Sequence, residues 1–244
     1  MTAPPRVPWS TVRADLEQNW EQGQHVTIAA PTGHGKTHLA LELAELSRYV
    51  LVLATKRRDP LVAELAADGY LVTPSTDGII WTALEGQEEP LTPRVVVWPQ
   101  APEKASAAER AALLGRELRE VMNWAQRTGG WTIVADETMY LSEQLGLEKE
   151  LNEVWYGGRT TGISLVSLMQ RPARVPRLAF SQADFIFLGK FNDKRDIDTL
   201  RDIATVVPAP VMVAGITSLS KPRHEFLFVD CKRDRIAITT APPR

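Results

Sequence analysis

Six short apolar runs recur along the chain with no polar-apolar alternation: Val26–Ala30, Tyr49–Ala54, Arg94–Trp98, Trp131–Ala135, Ile163–Met169 and Phe185–Leu188. A strand with one wet face alternates, whereas a strand covered on both faces does not. Helical spacing fills the intervals. Trp9, Val12, Leu16 and Trp20 fall near one face of a helix that Ser10 can cap and Gly23 ends. A second helix runs from Lys36 to about Arg48, and Pro60 opens a third that closes at Gly69. Ala105–Thr128 is a long helix with Leu113, Leu114, Leu118, Val121 and Trp124 on its apolar face, stopped by Gly129-Gly130. A helix over about Glu148–Tyr156 ends at Gly157-Gly158. Glu225–Asp230 and Arg235–Thr239 flank a polar turn and read as a C-terminal β-hairpin. Residues 73–93 are turn-rich and fit neither period. Strands alternating with helices predict an α/β fold with a mostly parallel, doubly wound sheet. Residues 1–24 form an N-terminal helical extension, and 25–244 a single domain.

Composition narrows this only at its edges. With 44% hydrophobic and 24% charged residues the chain can build an ordinary core. Its net charge of -2 carries no global signature of nucleic-acid binding, so any such contact needs a local basic surface. Cys231 is the single cysteine, so no intrachain disulfide forms, which fits a reducing compartment. The opening MTAPPRVPWS lacks the apolar stretch of a signal peptide, and no apolar run reaches membrane-spanning length. The expectation is a cytoplasmic protein with no membrane insertion.

The strongest chemical signal is Ala30-Pro31-Thr32-Gly33-His34-Gly35-Lys36-Thr37-His38, between a strand and a helix. This is a phosphate-binding P-loop with Ala30 in place of the first glycine. Backbone N–H groups of such a loop cradle phosphates, Lys36 reaches the β- and γ-phosphates, and the Thr37 hydroxyl ligates Mg²⁺. Gly33 and Gly35 permit dihedrals and approaches that a side chain blocks. A dinucleotide fingerprint does not fit, because its third glycine would fall on His38.

Two further strand ends carry polar groups to the same edge. Trp131–Ala135 runs into Asp136-Glu137. An acid in this place holds Mg²⁺ in P-loop enzymes, and a second acid can orient and deprotonate an attacking water. The bland reading is a strand entering an acidic turn. Strand Ile163–Met169 delivers Gln170, whose amide can bond both a γ-phosphate and a water, before Arg171-Pro172. There the bland reading is a Gln that only caps the strand.

The segment Gly157-Gly-Arg-Thr-Thr-Gly-Ile-Ser-Leu-Val-Ser-Leu-Met-Gln-Arg-Pro-Ala-Arg-Val-Pro, followed by Phe180-Ser-Gln-Ala-Asp-Phe-Ile-Phe-Leu, resembles the HerA/FtsK superfamily of P-loop ATPases. These are ring-forming DNA pumps, conjugation motors and viral packaging ATPases. The resemblance covers about residues 25–205 and is strongest from 130 to 190. It implies a RecA-like core, ATP and Mg²⁺ as cofactors, a homo-oligomeric, hexameric ring, and DNA as partner, in the host-cell cytoplasm if the protein is viral. It assigns Lys36 and Thr37 to nucleotide and metal, Asp136 and Glu137 to the acidic pair, and Gln170 to the sensor. Arg159 matches the finger that reaches into the neighbouring subunit's site; its alternative is a solvated cation at a helix C-terminus.

Arg159, Arg171, Arg174 and Arg177 lie between Gly157 and Ala183 with no acid among them. They make either an electropositive interface or a loop that pairs with carboxylates elsewhere. Lys56-Arg57-Arg58 is a similar candidate, whereas Lys190, Lys194 and Arg195 alternate with Asp193, Asp196 and Asp198 as on a mixed surface helix. Trp81, Trp98, Trp124, Trp131 and Trp155 read as core or interface filler. His25, His34, His38 and His224 lack metal-ligand spacing, and Cys231 reads as inert. Two rival functions stay open beside a motor: a small-molecule kinase, which Glu137 and Gln170 argue against, and a nucleotide-gated binding protein with slow turnover.

Overall fold

The computed structural model describes residues 3–77, 93–174, 176–203 and 207–242, so Trp81 lies outside the described residues, as does the Arg174 side chain. Nine described strands form one sheet: β1 Val26–Ala29, β2 Tyr49–Leu53, β3 Leu71–Thr73, β4 Arg94–Val97, β5 Trp131–Ala135, β6 Ser164–Met169, β7 Phe185–Leu188, β8 Glu225–Asp230 and β9 Arg235–Thr240. Their order is β3-β4-β2-β5-β6-β1-β7-β8-β9. The first seven are parallel, β8 is antiparallel to β7, and β9 is antiparallel to β8. The doubly wound sheet and the terminal hairpin are as the hydrophobic pattern predicts.

The helices are α1 Trp9–Asn19, α2 Lys36–Ala44, α3 Pro60–Ala67, α4 Ala107–Thr128, α5 Glu148–Thr161, α6 Arg177–Ser181, α7 Lys194–Ile203 and α8 Ala209–Ser218. They cover both faces of the sheet, which is why the strands lack alternation. Leu51, Leu53, Ile133 and Ala135 pack on one side with Leu114, Leu118, Val121, Leu151 and Val154 from α4 and α5. Val50, Val52 and Val134 turn the other way to Leu16, Leu39, Leu43, Val62 and Leu65 from α1, α2 and α3. Leu39 and Leu43 are fully buried and hold α2 on the sheet. Each such burial is worth about 1.5–3 kcal/mol.

Several boundaries differ from the sequence expectation. Ser10 lies inside α1, whose N-cap is Pro8, and the helix ends at Asn19 rather than at Gly23. Helix α5 runs through Gly157-Gly158 to Thr161 and stops at Gly162 in the left-handed region. Glycine is tolerated there because the packing needs it: a Cβ on Gly158 would lie 2.4 Å from the Ile163 carbonyl oxygen. Strand β3 and helix α8 have no counterpart in the predicted elements. Helix α4 opens with a reciprocal cap between Ser106 and Glu109, and ends at Gly129 (φ 69°).

A buried polar cluster pins the start of β1. Asp184 Oδ2 accepts from the His25 amide at 2.9 Å, and His25 Nδ1 accepts from the Leu165 amide at 3.1 Å. Burial lowers the His25 pKa from 6.5 to about 4, and the Asp184 carboxylate offsets this only in part. Below pH 6.5 the unfolded chain therefore binds a proton that the folded chain refuses until about pH 4. The stabilisation is complete above that range and is lost as pH falls through it. We expect the urea midpoint to drop between pH 6.5 and 4. The drop should be shallower in His25→Asn, whose amide oxygen can accept where Nδ1 does; equal slopes in the two proteins would contradict this.

Candidate functional site

In parallel strands that share a direction, the C-terminal ends gather on one edge, and the loop from β1 to α2 starts there. Gly33 (φ 75°) and Gly35 (φ 87°) are left-handed, and Gly35 is the N-cap of α2. The loop rests on its neighbours: the Ala30 amide donates to Met169 O at 3.1 Å, and the Gly189 amide to Ala29 O at 2.8 Å. Gly189 explains how alanine replaces the first glycine of the motif. A Cβ on Gly189 would lie 2.5 Å from Ala30 Cβ and 2.9 Å from His34 Cδ2, so the space the Ala30 methyl needs comes from the glycine opposite.

His34 is fully buried, and its side chain turns away from the loop mouth. Its Nε2 donates to Glu225 O at 2.9 Å, and its ring stands edge-on to Phe226 at 4.8 Å. Burial lowers its pKa and favours the neutral ring. Pro31, Thr32, Gly33, Thr37 and His38 line the rest of the loop and the first turn of α2. Lys36 Nζ donates to Pro31 O at 3.1 Å, curled over its own loop. Burial lowers the Lys36 pKa, against the attraction of Asp136 and Glu137.

Glu137 and Gln170, predicted from two strand ends, meet at this loop. Thr32 Oγ1 donates to Gln170 Oε1 at 3.0 Å, and Gln170 Nε2 donates to Glu137 Oε1 at 3.0 Å. Glu137 has φ 59°. A non-glycine residue in that region costs roughly 1–2 kcal/mol. A single π-type turn follows at Tyr140–Gln144, and such turns are frequent at functional sites. A cavity of about 260 Å³ opens here, lined by Glu137, Met139, Tyr140, Met169, Gln170 and Arg171. A larger surface concavity, about 590 Å³, runs along α5 from Glu148 to Gly157 and gathers no comparable chemistry.

Sequence reasoning missed the role of Lys56. Its ammonium lies 2.9 Å from Asp136 Oδ2 and 3.9 Å from Asp59 Oδ2. Burial opposes its charge, but the bond to Asp136 together with the attraction of Asp136, Asp59 and Glu137 holds its pKa above the ordinary lysine value. Trp98 Nε1 fixes the same residue by donating to Lys56 O at 2.7 Å. The position at the end of β2 was the available signal, since β2 pairs with β5. No group of three or more His, Cys, Asp or Glu among the described residues can hold a metal by itself. Thr37 and Asp136 carry the oxygen donors that Mg²⁺ takes, and phosphate oxygens would have to complete its shell. The Lys56 ammonium against Asp136 shows that this carboxylate accepts a cation.

Arg159 is not brought to this edge. It lies at the opposite end of the strands, 2.7 Å from the buried Asp184, with its side chain 63% exposed. Much of the basic segment is paired within the chain: Arg171 binds Asp193 at 2.7 Å and Asp196 at 3.3 Å. Arg177 remains exposed. Of Lys56-Arg57-Arg58, Arg57 donates to Glu103 O at 3.2 Å and Arg58 is exposed. Trp124, Trp131 and Trp155 are core residues. Among the described residues no helix is long and apolar enough to cross a membrane.

The fold is one that solved genome-packaging NTPases share. No family model matches the sequence, and no curated protein matches it. Solved structures do. The genome packaging NTPase B204 of Sulfolobus turreted icosahedral virus 2 superposes with a TM-score of 0.64 at 14% identity, covering 91% of this chain and 98% of that one. The DNA-packaging ATPase B204 of Sulfolobus turreted icosahedral virus gives 0.61 at 17% identity, covering 92% and 100%. VirB4 of Thermoanaerobacter pseudethanolicus gives 0.62 at 11% identity, covering 90% of each.

Gly189→Ala should force the loop outward. Overpacking of this kind costs about 1–3 kcal/mol. We expect a lower urea midpoint together with weaker nucleotide binding, and partial recovery of both in Gly189→Ala/Ala30→Gly. Unchanged nucleotide affinity in the single variant would show that the contact does not shape the loop.

Proposed function

We propose that the chain is an ATP hydrolase that works as a ring-forming motor on double-stranded DNA. The observation that carries this is the hydrogen-bonded line from Thr32 through Gln170 to Glu137. It joins the phosphate loop to a carboxylate able to act as a base, through an amide able to bond both phosphate and water. A small-molecule kinase has no use for such a base, because its acceptor is the substrate. The likeness to packaging and secretion ATPases supports the motor reading, and the virus 2 packaging NTPase has also been solved in complex with AMPPCP.

In the proposed reaction the loop amides and Lys36 hold the β- and γ-phosphates, so Lys36 exchanges Pro31 O for phosphate oxygens. Glu137 takes a proton from a water placed in line with the γ-phosphorus, and Gln170 orients that water. Mg²⁺, held by Thr37 and Asp136, would neutralise charge on the β- and γ-oxygens. The remaining transition-state charge needs a further cation, and Arg159 is too far from its own loop to supply it. A neighbouring copy's Arg159 would, with a value of roughly 10³–10⁵ in rate in related chemistry. Two features support an intersubunit role. Arg159 is exposed, and Tyr156, three residues earlier on the same helical face, is the most exposed large hydrophobic residue described, at 71%. Arg58 and Arg177 are among the exposed cations of the described residues that would meet a DNA backbone.

Lys36→Ala should lose ATP binding and hydrolysis while keeping the fold by circular dichroism; retained turnover would refute the phosphate assignment. Glu137→Gln should bind ATP yet hydrolyse it about 10²–10⁴-fold more slowly. Normal turnover there would remove Glu137 as the base. Mixed rings of Arg159→Ala and Glu137→Gln subunits should recover part of the activity lost by each; none in verified mixed rings would sink the finger in trans. ATPase rate with and without double-stranded DNA, alongside solution mass, separates the motor from a nucleotide-gated switch. A monomer whose slow hydrolysis ignores DNA decides for the switch.

A further inference from the structure

The sheet divides the site into two ends. Asp136, Glu137 and Gln170 follow β5 and β6, on one side of β1, and the terminal phosphate must face them. A nucleotide lying along Ala30–Thr37 with its last phosphate there sends its nucleoside toward the other side, where β7, β8 and β9 lie. Strand β9 is antiparallel to β8, and β8 to β7, so β8 begins and β9 ends at the same edge as the loop. His224 directly precedes β8, and Ala241-Pro242 directly follow β9.

These residues form one rim against the loop. The Ala241 amide donates to His224 O at 2.8 Å. The tail reaches the start of α2: a methyl group placed on Gly35 would stand 3.4 Å from Ala241 Cβ. His224 is exposed at φ 49°, with its ring centroid 6.2 Å from that of His34. Pro242 is buried. Beneath the rim two buried polar atoms, His34 Nδ1 and Thr239 Oγ1, have no hydrogen-bond partner in the protein. Both residues adjoin Phe226: the His34 ring at 4.8 Å, and Thr239 opposite it in the β8–β9 register.

We propose that this rim is the nucleoside subsite, with Ala241-Pro242 as an apolar floor and the His224 imidazole stacking on the base. The proposal rests on the ATP-binding reading and assigns the C-terminal hairpin a role in holding the base. Charge alone would draw phosphate to Lys36; contact with the base requires the rim.

The test is calorimetric titration of the full chain with ATP and, separately, with inorganic tripolyphosphate, which lacks the nucleoside. His224→Asn keeps a residue that tolerates the left-handed turn but removes the ring. Loss of one base-stacking partner should weaken ATP about tenfold and leave tripolyphosphate unchanged. His224→Tyr, which restores a ring, should recover most of the ATP affinity, and a chain ending at Thr240 should behave like His224→Asn. Equal weakening of both ligands, or of neither, overturns the subsite. Lys36→Ala distinguishes the two levels: if it spares both ligands, the phosphate reading has failed rather than the subsite.

Discussion

The amide of Gly189 donates to the carbonyl of Ala29, and its bare Cα leaves the space into which Ala30 and His34 close. The rest of the site depends on this contact. The loop must turn its N–H groups toward one point, which requires left-handed glycines at 33 and 35 and a floor with no excess volume. His34 then locks the loop to the hairpin through Glu225 O. Hence the hairpin, although peripheral to the parallel sheet, helps determine the shape of the phosphate loop.

The charged and polar groups of the site are partnered within the chain. Lys36 bonds Pro31 O, Asp136 holds Lys56, and Glu137 and Gln170 bond each other. Each bond involves a group that the proposed chemistry needs elsewhere. Ligand binding on this view is an exchange of partners, which keeps the cost of partly buried charge low in both states. The left-handed Glu137 keeps its carboxylate at the loop instead of letting the strand run on.

Arg159 belongs to another part of the molecule. It caps the buried Asp184, which in turn holds the His25 amide at the foot of β1. The same cation is half out in solvent, so a structural role within the chain and a catalytic role toward a neighbour are compatible. The ion pair is unscreened only on its Asp184 side, and the exposed side is worth little to stability.

Much of this was legible in the residues alone. Unbroken apolar runs announced strands covered on both faces, because a doubly covered strand has no wet side to mark with polar residues. The P-loop, the acidic pair after β5 and Gln170 after β6 were readable because each needs particular residue types at a strand end. Helix α5 runs on past Gly157-Gly158 because the turn-forming tendency of the pair is local, whereas the close packing of Gly158 against Ile163 is not. The basic segment from Arg159 to Arg177 was undecidable for the same reason: Asp184, Asp193 and Asp196 are distant in the path of the chain and near only in the fold. Only tertiary structure could show why Ala30 is allowed, since the missing volume is on Gly189, or that Lys56 meets Asp136. The sequence by itself determined eight of the nine described strands, their order along the chain and the polar residues at their ends. The fold decided which of those ends meet, because that follows from strand order and packed volume, which no single segment encodes.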